Sequence, residues 1–478
     1  MSDPVAERHP HKVLMVAYDF PPARTSGVYR PLKFAKYLTE FGWQPVILTV
    51  RNPPKGDRDA GLLEELPKSI RVALVPTMEP VRLEQAVFDA FFRAETAASG
   101  PVGDRPEEEG RSPIRLRDGF KRRFLSPLRE GIEHLLYVPD PSIGWLPLAV
   151  AQGVRIARQE KARVVWATSS PHTSQLVGLW IHRLTGLPLV ADFRDPWTDS
   201  FSRARHPPRR RNRERRMEAA VLRAAARVVH LSESHMRMSQ ASFPEIPADR
   251  HVVLPNGYDE ADFASTTSTT GTPGDVLELL CVGTIYENSS FEPVLDVLAK
   301  AFKSDKEFRR SIRIVLIGPE PVHLRDRLSR EPLRGAIIHE GFLSHEEAIL
   351  RMCTTDVHLL TVPAGGPGMV SNIPGKVYEL MRSGRPIFFV GWGGESAELV
   401  RRTESGVVVN VSEAEEILMA IQTLVERKRA GLLVSATKMG AVMPFSRRAL
   451  TEQLARVFDT VLEVQMGEQS LLSNRLAG

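Results

Sequence analysis

The densest chemistry in this sequence stands at the end of one apolar run. LPLVADFRDPW (187–197) delivers Asp192, Arg194 and Asp195 directly after a short stretch with the character of a buried strand. A carboxylate in that place can accept the proton of an attacking hydroxyl. A guanidinium beside it can stabilise a departing diphosphate or hold a bound phosphate. The plainer reading is that one aspartate buttresses Arg194 through a bidentate pair and does no chemistry. A second constellation lies in IPGKVYELMRSGRPI (373–387), where Gly375 and Lys376 open a predicted helix and Glu379 follows one turn on. A helix start points N–H groups and an ammonium at phosphate. Lys376 and Glu379 share a helix face, so a surface ion pair is the competing reading. Val377 stands where a P-loop needs Ser or Thr, which excludes that motif.

Two weaker signals remain. DFPPARTSGVYRP (19–31) follows the first apolar run, and Gly27 within it permits close backbone approach to an anionic ligand, or simply a turn. The stretch lacks the G-x-G-x-x-G spacing, so no dinucleotide cofactor is expected. Asp57-Arg58-Asp59 has the form of a metal-holding D-x-D but sits in a charged loop away from any predicted strand end. With no H-E-x-x-H and no paired C-x-x-C, neither a metal nor a cofactor is expected.

These residues need elements to hold them. Apolar, β-branched runs alternate with helix-period stretches, predicting strands at 12–20, 44–50, 163–170, 187–193, 227–232 and 251–257, with a helix over 29–43. The Ser/Thr/Gly-rich stretch ASTTSTTGTPGD (264–275) interrupts the pattern. Alternation then resumes with strands at 277–283, 313–318, 336–341, 357–362, 385–391 and 406–410 and a terminal amphipathic helix near 446–466. The expected fold class is α/β, with two doubly wound parallel halves. The expected division is a first domain over 1–262 with an insertion at about 78–135, a linker at 263–275, a second domain over 276–445, and a crossover helix with tail at 446–478.

The bulk numbers agree with that organisation. A chain of 478 residues exceeds one ordinary core. Two cysteines, Cys281 and Cys353, make no disulfide framework and point to a reducing, cytoplasmic setting. The opening MSDPVAERHPHK lacks the apolar core of a signal peptide, and no run of about 18 apolar residues exists to span a membrane. The formal net charge of +5 suits an anionic partner. Arginine is dense over 203–216 without interleaved aromatics, which argues against nucleic acid and for an anionic membrane surface or phosphorylated acceptor. The stretch 111–129 mixes Arg115, Arg117, Lys121, Arg122 and Arg123 with Ile114, Phe120 and Phe124, a pattern suited to peripheral attachment at the inner face of a membrane.

Several stretches, taken in order, resemble a family-4 glycosyltransferase of the GT-B fold, of the bacterial kind that builds surface polysaccharides or glycoconjugates. They are YDFPPARTSGVYRPLKFAKYLTEFGWQPVILT, YVPDPSIGW, SSPHTSQLVGLWIHRLTGLPLVADFRDPW, VVLPNGYD, CVGTIYE, EGFLSHEEAI and IPGKVYELMRSGRPI. The resemblance implies two Rossmann-like domains facing a cleft, with the terminal helix crossing back to the first. It also implies a retaining, metal-independent transfer from a nucleotide-diphosphate sugar to a glycan or lipid-linked acceptor. Glu379 matches the second glutamate of the family's E-x7-E motif, which binds ribose, while Ser371 stands where the first, sugar-contacting glutamate falls. GTIYENSSFEPVL (283–295) lacks the Arg and Lys the family often carries there, which leaves Lys376 and its helix start to hold the diphosphate. DFRDPW occupies the place where many members carry a histidine, so the resemblance puts Asp192, Arg194 and Asp195 at the reacting centre. It adds Gly27, Arg30, His172, Gly283, Ser371 and Gly375 to the substrate-binding set with Lys376 and Glu379. The rival readings are a nucleotide-sugar epimerase of the same fold and a catalytically silent GT-B binding protein.

Overall fold

The computed structural model describes residues 10–23, 25, 27–51, 59, 61–78, 137–200, 203–264, 266, 271–364, 373–433 and 437–477. Within them, short β-branched runs form strands because both faces are covered and the apolar side chains are buried on each. The first sheet holds β1 (His11–Ala17), β2 (Trp43–Val50), β3 (Arg71–Val75), β4 (Val164–Ser169), β5 (Leu189–Phe193), β6 (Ala225–His230) and β7 (His251–Val253). Its order is β3-β2-β1-β4-β5-β6-β7, all parallel. The second sheet holds β8 (Leu277–Val282), β9 (Ile312–Ile317), β10 (Ile337–Gly341), β11 (Val357–Thr361), β12 (Ile387–Gly391) and β13 (Gly406–Asn410). Its order, β10-β9-β8-β11-β12-β13, is parallel throughout. The chain is thus two α/β domains, and each sheet reverses its winding once, between β1 and β4 and between β8 and β11. Crevices for ligands open at the carboxyl ends of strands at such reversals.

Helices pack on both faces. In the first domain the principal ones are α1 (Tyr29–Leu38), α2 (Leu146–Glu160), α3 (Thr173–Thr185), α4 (Pro208–Ala224) and α5 (Glu233–Ser242). In the second they are α6 (Phe291–Ser304), α7 (His345–Thr354), α8 (Lys376–Arg382), α9 (Glu395–Arg402) and α10 (Ala414–Arg429). The last, α11 (Arg447–Ala477), returns to the first domain: Leu450, Leu454 and Phe458 share one buried cluster with Val13, Phe34 and Trp43.

Three details differ from the sequence expectation. The helix expected over 29–43 ends at Leu38, passes through a 3-10 turn (Thr39–Phe41) and stops at Gly42, whose φ of +78° is the left-handed cap that glycine accommodates. β3 is an additional edge strand, with only Val75 of its five residues fully buried. The terminal helix runs eleven residues past the expected 466, to Ala477. Of the insertion expected at 78–135, all but Met78 lies outside the described residues, as does the basic stretch 111–129.

Candidate active site at the facing sheet edges

On the first domain the site is built around the ends of β1, β4 and β5. Asp192, the fourth residue of β5, is fully buried. It accepts from Arg30 Nε at 3.1 Å and Nη2 at 2.7 Å, and from Thr168 Oγ1 on β4 at 2.6 Å. Arg30 also donates to the carbonyls of Leu254 and Pro255, both at 2.9 Å. A charge can be buried this way because a bidentate partner and further hydrogen bonds replace its water. Asp192 therefore ties α1 to β5 and to the segment after β7, which differs from the open carboxylate expected there. The expected bidentate pair exists, but it joins Asp192 to Arg30 and leaves Arg194 free of it.

Arg194 instead turns across the reversal point. Its Nε donates to the Ser169 carbonyl at 2.8 Å, its Nη2 donates to the Ser170 carbonyl, and Asp19 Oδ2 lies 3.5 Å from Nη2. Burial pushes the Asp19 carboxyl up from its ordinary value, and the Arg194 charge opposes that push. A Cβ on Gly27 would stand 2.4 Å from both Arg194 Nη1 and Asp19 Oδ2, so a side chain there would push these two side-chain ends from their present places. Asp195 keeps one light contact, Ser170 Oγ at 3.3 Å, and is half-buried. His172 is buried and stacks flat on Trp197, with ring centroids 4.7 Å apart and planes 3° apart. Burial, then the charges of Arg203 and Arg194, hold its imidazole neutral, well below the ordinary histidine value.

On the second domain the reversal between β8 and β11 carries Lys376. Its ammonium donates to the Val282 carbonyl at the end of β8. A Cβ on Gly283 (φ +100°) would approach it to 2.9 Å, so a residue with a side chain there would both strain the backbone and crowd the cation. Burial pushes the Lys376 ammonium below its ordinary value, while Cys281 and Glu379 oppose. Gly375 is exposed at the start of α8 and faces the first domain, with Asn256 Nδ2 3.9 Å from where its Cβ would be. Glu379, half-buried one turn along, has its carboxyl pushed up by burial; the nearby charges of His345, Arg447 and Lys33 pull it down, and Asp262 pushes it up. Ser371 lies outside the described residues.

The domains meet beside Glu379 in a charge network that pattern reading passed over. Lys33 Nζ reaches Glu65 and Asp259, both at 2.7 Å, and Asp262 at 3.2 Å; His345 Nε2 contacts Asp262 at 3.1 Å. Lys33 and Lys36 fall on the buried side of α1, among charges far away in sequence, so local periodicity carries no signal for them. Asp19 did carry one: it stands two residues past the end of β1.

The arginine-rich stretch 203–216 divides. Arg203 and Arg210 turn inward to the buried Glu214, at 3.2 and 2.8 Å, and to the carbonyls of Pro139 and Tyr137. Arg209, Arg213 and Arg216 face outward. Of the Asp57-Arg58-Asp59 triad only Asp59 is described, and it accepts from the Gly61 N–H at 3.0 Å. Among the described residues no group of three or more His, Cys, Asp or Glu is placed to hold a metal ion, and no helix is long and apolar enough to cross a membrane.

Two parallel domains with reversal points facing one another are the architecture of GT-B glycosyltransferases. Residues 28–257 match the Glycosyl transferase 4-like domain and residues 276–427 match the Glycosyl transferases group 1 domain. The chain belongs to the glycosyltransferases built from this pair of domains. Its fold is shared by HepE of Anabaena, solved with UDP and glucose (TM-score 0.56, 14% identity, 94% of this chain and 100% of that one). It is shared by a sucrose-phosphate synthase of Thermosynechococcus elongatus (TM-score 0.59, 14% identity, 95% and 100%). The lipopolysaccharide outer core galactosyltransferase WaaB is similar too (TM-score 0.54, 12% identity, 95% and 99%). No curated protein matches this chain in sequence.

Proposed function

We propose that this glycosyltransferase moves a sugar from a nucleoside-diphosphate donor to a glycan or lipid-linked acceptor in surface polysaccharide or glycoconjugate synthesis. In this reading the anomeric configuration is retained and no metal is used. The observation that carries it is Lys376: an ammonium held on the end of β8, at the reversal of the second sheet, one helix turn before Glu379. That pairing supports a reading in which the ammonium holds the diphosphate and the carboxylate holds ribose hydroxyls. The crystal structures of HepE with UDP and with UDP-glucose support a nucleotide-sugar as the donor class.

Across the cleft, Arg194 takes the charge that develops on the leaving diphosphate or holds an acceptor phosphate. Asp195 accepts the proton of the acceptor hydroxyl, because the oxygens of Asp192 are engaged by Arg30 and Thr168. Lys376 and Arg194 replace the divalent ion that would otherwise neutralise the leaving group. The outward arginines of α4, Arg209, Arg213 and Arg216, favour an anionic membrane face, which suits a cytoplasmic enzyme acting on a lipid-linked acceptor.

The test is sugar transfer from a panel of UDP-, GDP- and dTDP-sugars to a membrane lipid extract, with and without EDTA, and with the product anomer read by NMR. Transfer that survives EDTA and retains configuration supports the proposal. Inverted product, or loss of transfer in EDTA with recovery in manganese, overturns the corresponding part.

A further inference from the structure

The turn after β12 carries a second group with no assigned work. Trp392, Gly393, Gly394 and Glu395 leave the carboxyl end of β12, on the same edge of the sheet as Gly283 and Lys376. Gly393 and Gly394 both adopt left-handed φ values, +86° and +84°, and this tight path sets Glu395 as the first residue of α9. Glu395 points across the cleft: its Oε1 accepts the Ser234 N–H, in the first turn of α5 of the opposite domain, at 2.7 Å. Its Oε2 is buried and has no hydrogen-bond partner among the described residues. The Arg237 guanidinium is 3.9 Å from Oε1 and largely exposed.

A carboxylate oxygen shut away from water without a donor forfeits a charge-assisted bond, which is costly enough that native structures rarely leave it so. A hydroxyl or water entering from the cleft can supply that donor. Glu395 also sits close enough to Tyr378 for its charge to act on that phenol, and Tyr378 is the immediate neighbour of Glu379. Trp392, three residues before Glu395 in the same turn, leaves 44% of its surface exposed, a flat apolar face. A sugar ring has that complement: an apolar C–H face and a rim of hydroxyl donors. Sites for such ligands pair apolar surface with a few fixed polar groups.

We infer that Glu395 accepts a hydroxyl of the donor's glycosyl unit through Oε2, with Trp392 beneath the ring. The inference rests on the donor reading given above. Because Oε1 is bonded to Ser234 of the other domain, the same carboxylate couples sugar binding to the contact between the domains.

The experiment is calorimetric titration of the full chain with UDP, GDP, UDP-glucose, UDP-galactose, UDP-N-acetylglucosamine and GDP-mannose, on wild type, Glu395→Gln and Trp392→Ala. For the nucleotide-sugar that wild type binds, both variants weaken affinity about tenfold, or about 1.4 kcal/mol, while affinity for the matching free nucleoside diphosphate stays within about twofold. Trp392 is partly exposed, so its variant provides a readout if Glu395→Gln fails to fold. Unchanged nucleotide-sugar affinity in the folded variants overturns the inference. Equal weakening of free nucleotide and nucleotide-sugar does so as well, since Glu395 would then only position the domains. If wild type binds none of the six, the donor reading fails and the inference falls with it.

Discussion

Asp192 and Asp195 stand three residues apart and meet opposite fates. The first is sealed against Arg30; the second remains half-buried with one contact at 3.3 Å. Their substitutions therefore separate. Asp192→Asn leaves a buried guanidinium without its carboxylate and is expected to cost about 3–5 kcal/mol of stability, read by urea unfolding of the first domain. Asp195→Asn is expected to leave stability and donor affinity near wild type and to lower turnover about a hundredfold or more at saturating donor. Near-normal turnover in Asp195→Asn would remove it from the chemistry. Across the cleft, Lys376→Ala and Glu379→Ala should each weaken nucleoside-diphosphate binding by about 1–3 kcal/mol, the loss expected for a hydrogen bond to a charged group. Calorimetry decides it: unchanged affinity in both would move the nucleotide to another edge of the sheet.

At the scale of the element, α11 does the work of joining the halves. It leaves the second domain at Arg447 and lays Leu450, Leu454 and Phe458 into the core of the first. Phe458 meets Trp43 edge-on, with ring centroids 5.0 Å apart, and Trp43 Nε1 donates to Asp459 at 3.0 Å. Phe458→Ala is expected to cost about 3–5 kcal/mol, the transfer loss of a buried aromatic plus the cavity it leaves. Near-ultraviolet dichroism during denaturant unfolding follows the loss, since the Trp43 environment goes with it. An unfolding midpoint equal to wild type would mean that the crossover helix contributes nothing to the first domain.

At the scale of the molecule, the buried imidazoles work against stability in acid. Burial, partly offset by the Asp192 charge, pushes His235 down to about 4; burial, with the Arg385 charge adding to it, pushes His358 down to about 3. His172 and His230 are lowered too, chiefly by burial. A histidine with a depressed folded pKa stays neutral in the fold but takes a proton in the unfolded chain below its ordinary value. Its share of stability is therefore whole above about 6.5 and drains away as pH falls toward the folded value. For His235 the share is about 3 kcal/mol. Glu218, pushed up to about 7 by burial, works in the opposite direction over the same range, as do the raised carboxyls of Asp19, Asp140 and Glu379. Between pH 6.5 and 4 the slope of the unfolding free energy against pH should therefore be more positive in wild type than in His235→Asn, by the His235 share. Identical slopes in the variant and wild type would show that His235 does not contribute.

Much of this architecture follows from short-range pattern. β-branched apolar runs of five to eight residues, punctuated by Gly and Pro, can hardly be other than buried parallel strands, because both faces must be apolar and the connections are helical. The second-domain strands fall within two residues of the sequence reading for that reason, from Leu277–Val282 to Gly406–Asn410. β3 escaped because an edge strand needs little burial, so RVALV carries a weak signal. Gly375, Lys376 and Glu379 were legible as a helix start, since their spacing is local. What only the tertiary structure decided is who partners whom. Arg30 meets Asp192 across 162 positions, Arg194 meets Asp19 across 175, and Lys376 meets the Val282 carbonyl across 94. Those distances close because strand order brings β1, β4 and β5 together on one edge and β8 and β11 on another. Strand order is a property of the whole packed sheet, so a charged residue at a strand end announces a site while its neighbour in space announces the role.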